Sequence, residues 1–237
     1  MIEIKKGNIF TTQCQTIVNT VNCVGIMGAG IAYEFKLRYP EMFSKYQTFC
    51  RNGQIDIGNL WVYQQGKANK SLQKVLNFPT KRHWKDPSKI EYLEAGLQKF
   101  VSSYEQKRIS SIAFPLLGAS RGGLSEKASL AVMQRYLEPC NIPIEIWYFD
   151  PQAKDDLYEN FKVRFCAMDN LTIKAKTGLR ADMIEKVKLG LEQAHINSLS
   201  GLAQVRGIGK STLEKAFAFV DGHAETQNPT TGDLFAE

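Results

Sequence analysis

The sequence predicts an α/β fold in which helices cover both faces of a mostly parallel or mixed sheet. Short β-branched apolar runs recur between turn residues, and segments with apolar residues at spacings of three and four lie between them. Strands that alternate with helices of this kind are typical of such sheets. The chain has 237 residues, enough for one sizeable core and a small appendage. Its 8 prolines and 18 glycines are near the average share, which excludes collagen-like, low-complexity and wholly disordered classes.

The apolar runs predict six strands: Ile2–Ile4, Thr16–Val21, Leu60–Tyr63, Val75–Phe78, Ser111–Phe114 and Ile144–Phe149. The helical periods between them predict helices over about Ala29–Tyr39, Ile90–Tyr104 and Ser125–Leu137. The first ends at Pro40 and the last before Pro139, as proline requires. These elements predict one α/β domain over residues 1–164.

The C-terminal part has a different pattern. Residues 165–180 lack strand alternation and a strong helical period, so we expect a linker there. Residues 181–220 are predicted to be helical, with helices at Ala181–Ala194, from Ser198 to a break at Gly207-Ile208-Gly209, and from Ser211 to Val220. The polar tail, 221–237, is predicted to be flexible.

The titratable residues favour a cytoplasmic protein without a metal site. Five cysteines contain no Cys-x-x-Cys pair and three histidines lie far apart, so we expect reduced structural thiols and no metal. No apolar run is long enough to cross a bilayer, and the N-terminus does not resemble a signal peptide. Residues 67–89 carry seven Lys and Arg against one acid, Asp86. This stretch indicates either a polyanionic partner or a solvated basic loop.

Two strand–loop–helix segments contain glycine-rich loops. After the strand that carries Asn19 and Asn22, glycines 25, 28 and 30 precede a helix whose N-terminus can bind an anion. Glycines 118, 122 and 123 form a second such loop, and the pair could hold a diphosphate from two sides. Neither loop fits the common nucleotide motifs, and tight turns with close helix packing remain the alternative.

The segment Asn77-Phe78-Pro79-Thr80-Lys81 places a lysine where another strand ends. Such a lysine can act as a nucleophile toward an aldehyde-like carbon, stabilise charge, or contact a phosphate. A solvated surface lysine is the alternative interpretation.

Five motifs together resemble the macrodomain family: Gly7-Asn8-Ile9, the segment 17–22, Met27-Gly28-Ala29-Gly30-Ile31-Ala32, the segment 77–81, and 117–124. The Asn-Phe-Pro-Thr-Lys motif is similar to the branch of terminal ADP-ribose glycohydrolases and DarG-type antitoxins, which remove ADP-ribose from DNA. The resemblance implies a three-layer α/β/α fold that binds ADP-ribose across the carboxyl ends of its strands and uses no cofactor.

The resemblance also implies roles for single residues. Asn8 and Ile9 would lie near the adenine, and Asn22 near the distal ribose. Lys81 would be catalytic together with Asn22, acting at the anomeric carbon, through an imine on the ring-opened sugar in one version of the chemistry. The remaining residues implied to bind ADP-ribose are Asn19, Gly28, Ala29, Gly30, Ile31, Thr80, Leu117, Gly118, Ala119, Ser120, Arg121, Gly122 and Gly123.

The sequence departs from the family pattern at three positions. Asn8 replaces the usual acid after the first glycine, and Gly122 stands where terminal ADP-ribose glycohydrolases have the acid that partners the lysine. Ser125 follows Gly-Gly-Leu where that branch often has Trp. The missing acid favours DNA as the substrate.

Residues 199–213 resemble a helix-hairpin-helix motif, in which Gly207, Gly209 and Lys210 would contact a DNA phosphate. An ordinary helical hairpin is the alternative. The predicted function is therefore an ADP-ribosyl glycohydrolase acting on DNA, with ADP-ribose, ADP-ribosylated DNA and a cognate ADP-ribosyltransferase as partners. The alternatives are an ADP-ribose reader without turnover, a hydrolase acting on ADP-ribosylated protein carboxylates, a phosphatase for a small ADP-ribose derivative, and a DNA-tethered scaffold.

Overall fold

The computed structural model describes residues 1–64, 74–221 and 233–234. The described residues divide into two compact units, one formed by those up to residue 149 together with 233–234, and the other by residues 150–221. We call them the α/β unit and the helical unit. The α/β domain, predicted to end at residue 164, therefore ends at residue 149.

The α/β unit is built on a mixed sheet. The described strands are β1 (Ile2–Gly7), β2 (Thr16–Asn22), β3 (Trp61–Gln64), β4 (Lys74–Lys81), β5 (Ile112–Pro115), β6 (Ile144–Phe149) and β7 (Asp233–Leu234). They lie in the order β1-β6-β5-β2-β4-β3-β7. The first five in this order are parallel, while β3 is antiparallel to β4 and β7 is antiparallel to β3. The six predicted strands are confirmed, and the carboxyl ends of the parallel strands share one edge.

Helices cover both faces of this sheet. They are α1 (Gly30–Arg38), α2 (Pro40–Arg51), α3 (Ile90–Ser103) and α4 (Glu126–Leu137). Buried residues of α3 and α4 pack with Phe78 and Phe114 in one core. Buried residues of α1 and α2 pack with Trp61 in the other core. This arrangement confirms the three-layer α/β/α fold.

Helix α2 is absent from the sequence prediction, which uses Pro40 only as the end of the preceding helix. Pro40 instead occupies the first turn of α2, where a missing N–H group costs no hydrogen bond. Met42 and Tyr46 are fully buried on one face of α2. The proline therefore marks both the end of α1 and the start of α2.

The helical unit contains α5 (Tyr158–Cys166), α6 (Asn170–Thr177), α7 (Ala181–Leu191), a short 3-10 helix (Ser200–Gln204) and α8 (Lys210–Asp221). The predicted helix from Ser198 is thus only a five-residue 3-10 turn. On α5, Phe161 and Phe165 contact Phe219 of α8, with ring centroids 5.8 and 5.9 Å apart. Because of this packing, α5 belongs to the helical unit rather than to the end of the α/β domain.

The predicted linker at 165–180 is wrong, because α6 lies within it. Asp169 caps this helix by accepting from the Thr172 N–H at 2.9 Å, and Gly178 ends it in a left-handed conformation, φ +62°. Ile173 is the buried residue of α6, so the repeat of apolar residues that would indicate this helix is weak in the sequence.

Two predictions fall largely outside the described residues. Of the predicted flexible tail, 221–237, only the end of α8 and strand β7 are described. Of the basic stretch, Lys67 and Lys70 lie outside them as well. Over the described ranges, none of the helices has the length and apolar character needed to cross a membrane.

Candidate active site

The two predicted catalytic residues lie side by side where β2 and β4 end. Along these parallel strands Val21 is opposite Pro79, but the register then shifts, so that Asn22 is opposite Lys81. Thr80 is the extra residue of this bulge, and its side chain is buried. The bulge therefore brings Lys81 rather than Thr80 beside Asn22.

The amine of Lys81 points toward the second glycine-rich loop. Its Nζ donates to the main-chain oxygen of Arg121 at 2.5 Å. Partial burial lowers the pKa of Lys81 below the usual 10.5, while the negative charge of Asp86 acts in the opposite direction. The neutral amine is thus more accessible here than in a solvated lysine.

Asn22 organises the chain that leaves β2. Its Oδ1 accepts from the N–H groups of Val24 at 3.0 Å and Ile26 at 3.3 Å, and its Nδ2 donates to the Ile26 oxygen at 2.6 Å. The hydroxyl of Tyr46 donates to the main-chain oxygen of Asn22 at 2.6 Å. Asn22 therefore fixes the start of the first glycine-rich loop.

This first loop, residues 25–31 (loop 1), leads into the N-terminus of α1. Ala29 is the N-cap residue and has no side-chain acceptor, and Gly28, Ala29 and Gly30 are all exposed. Gly30 adopts φ +59°, a left-handed conformation that favours glycine. The first N–H groups of a helix lack intrahelical partners, so α1 opens toward solvent with donors suited to an anion. Ile31 follows within this first turn.

Loop 2, residues 118–123, follows β5 and faces loop 1. The Leu124 N–H donates to the Gly118 oxygen at 3.0 Å and closes the loop. A Cβ atom on Gly30 would lie 3.7 Å from Cγ of Arg121. The two loops therefore lie close together, as a diphosphate held from two sides requires. Ala119 is half-buried, while Ser120 and Gly123 are exposed.

Ser88 fills the space beneath loop 2. A Cβ on Gly122 would lie 2.7 Å from Oγ of Ser88, and one on Gly118 would lie 3.0 Å from its Cβ. The Ser88 N–H also donates to the Gly122 oxygen at 2.8 Å. An acid at position 122 would therefore displace Ser88, which explains the glycine there. The sequence offered no signal for this contact.

The other predicted ligand residues divide into two groups. Asn8 and Ile9 are buried, and Oδ1 of Asn8 accepts from the Phe10 N–H at 3.1 Å, capping a 3-10 helix (Ile9–Thr11). Asn19 is fully buried and donates to Oδ1 of Asn77 at 2.9 Å, and Leu117 is also fully buried. Asn19 in β2 and Leu117 just after β5 are thus buried beneath the cleft, and the structure does not bring them to its surface.

The thiol nearest to Lys81 is not activated. Sγ of Cys23 donates to the Lys81 main-chain oxygen at 3.3 Å, and burial raises the pKa of this thiol to about 12. All five cysteines lie within the described ranges and are free thiols. Cys23 therefore packs beside the site and is not a nucleophile at neutral pH.

The predicted DNA-binding hairpin is a tight turn before a helix. Gly207 has φ +91°, and Ile208 is buried. Helix α8 starts at Lys210, and the Thr212 N–H donates to the Gly209 oxygen at 3.1 Å. A contact of this turn with DNA phosphates stays a prediction.

The sequence and the fold are similar to those of known proteins. The sequence model of the Macro domain family matches residues 18–133. The DNA ADP-ribosyl glycohydrolase of Thermus aquaticus is 38% identical over 151 residues, 64% of this chain and 41% of that protein. A DNA ADP-ribosyl transferase–DNA ADP-ribosyl glycohydrolase fusion protein of Thermosipho africanus is 32% identical over 160 residues, 62% of this chain and 41% of that protein. The chain thus spans about two fifths of the length of these curated relatives.

Solved structures agree with these matches. The macrodomain of Mycobacterium tuberculosis DarG is 37% identical with a TM-score of 0.59, over 62% of this chain and 97% of that one. Thermosipho africanus DarTG in complex with ADP-ribose is 33% identical with a TM-score of 0.57, over 62% of this chain and 42% of that one. With nearly a whole macrodomain covered at this identity, the chain belongs to the macrodomain family.

Proposed function

We propose that this protein is a hydrolase that removes ADP-ribose from a macromolecule, with DNA as the preferred substrate. The observation that carries the proposal is the position of Lys81 beside Asn22, with an amine of lowered pKa directed at loop 2. A protein that only binds ADP-ribose has no need of a lysine in this place. Loops 1 and 2 would hold the diphosphate, so that the distal ribose extends toward Lys81.

The chemistry follows from the lysine. The neutral amine attacks the anomeric carbon, the bond to the base breaks, and the base leaves with the proton that the amine gives up. The sugar ring then opens to an imine, and water hydrolyses the imine to ADP-ribose and free lysine. Desolvation of Lys81 favours the neutral form that this route needs. Asn22 positions loop 1 relative to the ribose.

DNA is favoured over protein for two reasons. The relatives of known activity are named DNA ADP-ribosyl glycohydrolases, one of them fused to a DNA ADP-ribosyl transferase. In addition, exposed cations follow Lys81 directly: Arg82, Lys85 and Lys89. We place the activity in the cytoplasm, where bacterial DNA is found, and include a cognate ADP-ribosyltransferase in the proposal as the enzyme that makes the substrate.

One observation favours a second candidate, an ADP-ribose reader. Position 122 carries no acid, and Ser88 occupies the space that an acid would need. In a reader, the lysine would stabilise bound ADP-ribose and take part in no chemical step.

Replacement of Lys81 separates the two functions. Lys81→Ala should lower release of ADP-ribose from a modified oligonucleotide by at least about a hundredfold, and should leave calorimetric affinity for ADP-ribose within about threefold. Lys81→Arg keeps the charge but has no accessible neutral form, so it should be nearly as inactive. Lys127→Ala, an exposed lysine on α4, is the control. Equal losses of rate and affinity in Lys81→Ala would favour the reader, and release from ADP-ribosylated protein alone would exclude DNA as the substrate.

A further inference from the structure

The segment that follows Lys81, residues 82–89 (the rim segment), exposes a tryptophan. Trp84 is 48% exposed, whereas Trp61 and Trp147 are 0% and 8% exposed. On the neighbouring loop after β2, Val24 and Ile26 are also exposed, at 45% and 43%. Apolar surface of this kind beside a cleft often marks a binding site.

Main-chain hydrogen bonds hold the rim segment at both ends. The Cys23 N–H donates to the Arg82 oxygen at 3.1 Å, and the Ser88 N–H donates to the Gly122 oxygen at 2.8 Å. Between these anchors the Asp86 N–H donates to the His83 oxygen at 3.1 Å. The indole of Trp84 is therefore carried on an ordered turn, three residues from the catalytic lysine.

A lysine and an imidazole lie beside this ring. Nζ of Lys85 lies 5.1 Å from the centroid of Trp84, and the imidazole of His83 lies 5.6 Å from it. The guanidinium of Arg82 is paired with Asp56 at 2.7 Å, which leaves Lys85 and Lys89 as the cations that a phosphate would meet. An exposed aromatic ring with a lysine beside it fits a nucleobase followed by its phosphate. A carboxylate on a protein would use the charges but not the ring.

We infer that Trp84 stacks on a nucleobase that neighbours the modified nucleotide in a single DNA strand, while Lys85 contacts the adjoining phosphate. This inference rests on the proposed function and names the group that selects DNA over protein. Because every base has a π-face, this contact binds a single strand whatever its base sequence.

The test uses the full chain and a short unmodified single-stranded oligonucleotide, followed by fluorescence anisotropy. Trp84→Ala should weaken the affinity for the oligonucleotide about tenfold. Trp84→Phe should bind it with an affinity within about threefold of the wild type, because phenylalanine also stacks. Ile4→Ala, a side chain equally exposed at 48% on β1, should leave binding unchanged. Bound oligonucleotide should quench tryptophan emission in the wild type but not in Trp84→Phe.

Turnover then separates this inference from the proposed function. Trp84→Ala should raise KM for a modified oligonucleotide and leave affinity for free ADP-ribose unchanged. Wild-type binding by Trp84→Ala, or an equal loss on ADP-ribosylated protein, would overturn the inference while the hydrolase remains. Trp84-dependent binding by a wild type that releases no ADP-ribose from DNA would support the stacking site and exclude the proposed function.

Discussion

Loop 1 and loop 2 face each other across the cleft, yet their glycines have different surroundings. A Cβ on Gly30 would make an ordinary contact of 3.7 Å with Arg121, whereas a Cβ on Gly122 would lie 2.7 Å from Oγ of Ser88. In loop 1 the absent side chain leaves room for a ligand, and in loop 2 it leaves room for the protein's own packing. The two glycine-rich motifs therefore look alike in the sequence but have different roles, since the glycine of loop 1 leaves room for a ligand and that of loop 2 leaves room for Ser88.

The largest expected effect is on ligand binding through loop 1. Gly30→Glu should weaken ADP-ribose binding by at least about a hundredfold, because its carboxylate enters the path of the diphosphate and displaces charge-assisted N–H bonds. Gly30→Ala is the matched control, since it carries the same left-handed strain without the charge. Calorimetry measures affinity, and thermal unfolding reports the fold. If both variants bound equally well, loop 1 would not hold the diphosphate.

The next effect is on stability through loop 2. Gly122→Ala should lower the free energy of unfolding by about 1–3 kcal/mol, because the added methyl group overlaps Ser88. Adding Ser88→Ala removes the overlapping Oγ and should recover most of the loss. Urea denaturation measures both. If Gly122→Ala kept its stability but lost ADP-ribose binding, Gly122 would leave room for the ligand, as Gly30 does.

A smaller effect concerns the lysine that loop 2 holds. The Asp86 charge raises the pKa of Lys81, so Asp86→Asn should lower it further. If the neutral amine is the active form, turnover rises with pH through this pKa, and the variant's rising limb should shift to lower pH. The rate on the acidic side should then increase a few-fold. Glu91→Gln, an exposed acid on α3, is the control. Turnover that falls as pH rises, with the falling limb at lower pH in the variant, would mean that the ammonium is the active form.

The smallest expected effect is on DNA binding through a glycine of the helical unit. Gly209, unlike Gly122, has open surroundings, since no described atom lies within 4 Å of its Cβ position. Gly209→Glu should therefore leave stability unchanged but weaken DNA binding a few-fold and reduce the salt dependence by about one phosphate contact, a slope change of roughly 0.7–0.9. Leu171→Glu, 80% exposed on α6, adds the same charge elsewhere in the unit. Equal binding by the two variants would make the hairpin a purely structural turn.

The sequence predicts correctly those features that leave a pattern among neighbouring residues of the chain. The six strands follow from short apolar runs, and the meeting of Asn22 with Lys81 follows because parallel strands end at one edge. Helix α6 was missed because Ile173 is its buried residue, and α2 because Pro40 suggested only an ending.

The tight site contacts could not be predicted for another reason. The Ser88 contact with Gly122 joins segments 34 positions apart in the chain and depends on how the rim segment folds back onto loop 2. The bond from Lys81 to the main-chain oxygen of Arg121 depends on the backbone of loop 2, which no residue type specifies.

The bulge at Thr80 bears on how relatives of this protein are compared. Successive side chains of a strand point to opposite faces, so an amine one residue earlier would lie about 3.3 Å away and on the other side of the sheet. A homologue that loses one residue between Asn77 and the lysine can pair in regular register, with its lysine still opposite the asparagine but without the extra residue that the bulge holds. In an alignment of this family, the count of residues before the lysine therefore indicates whether the bulge is present, which the lysine alone does not.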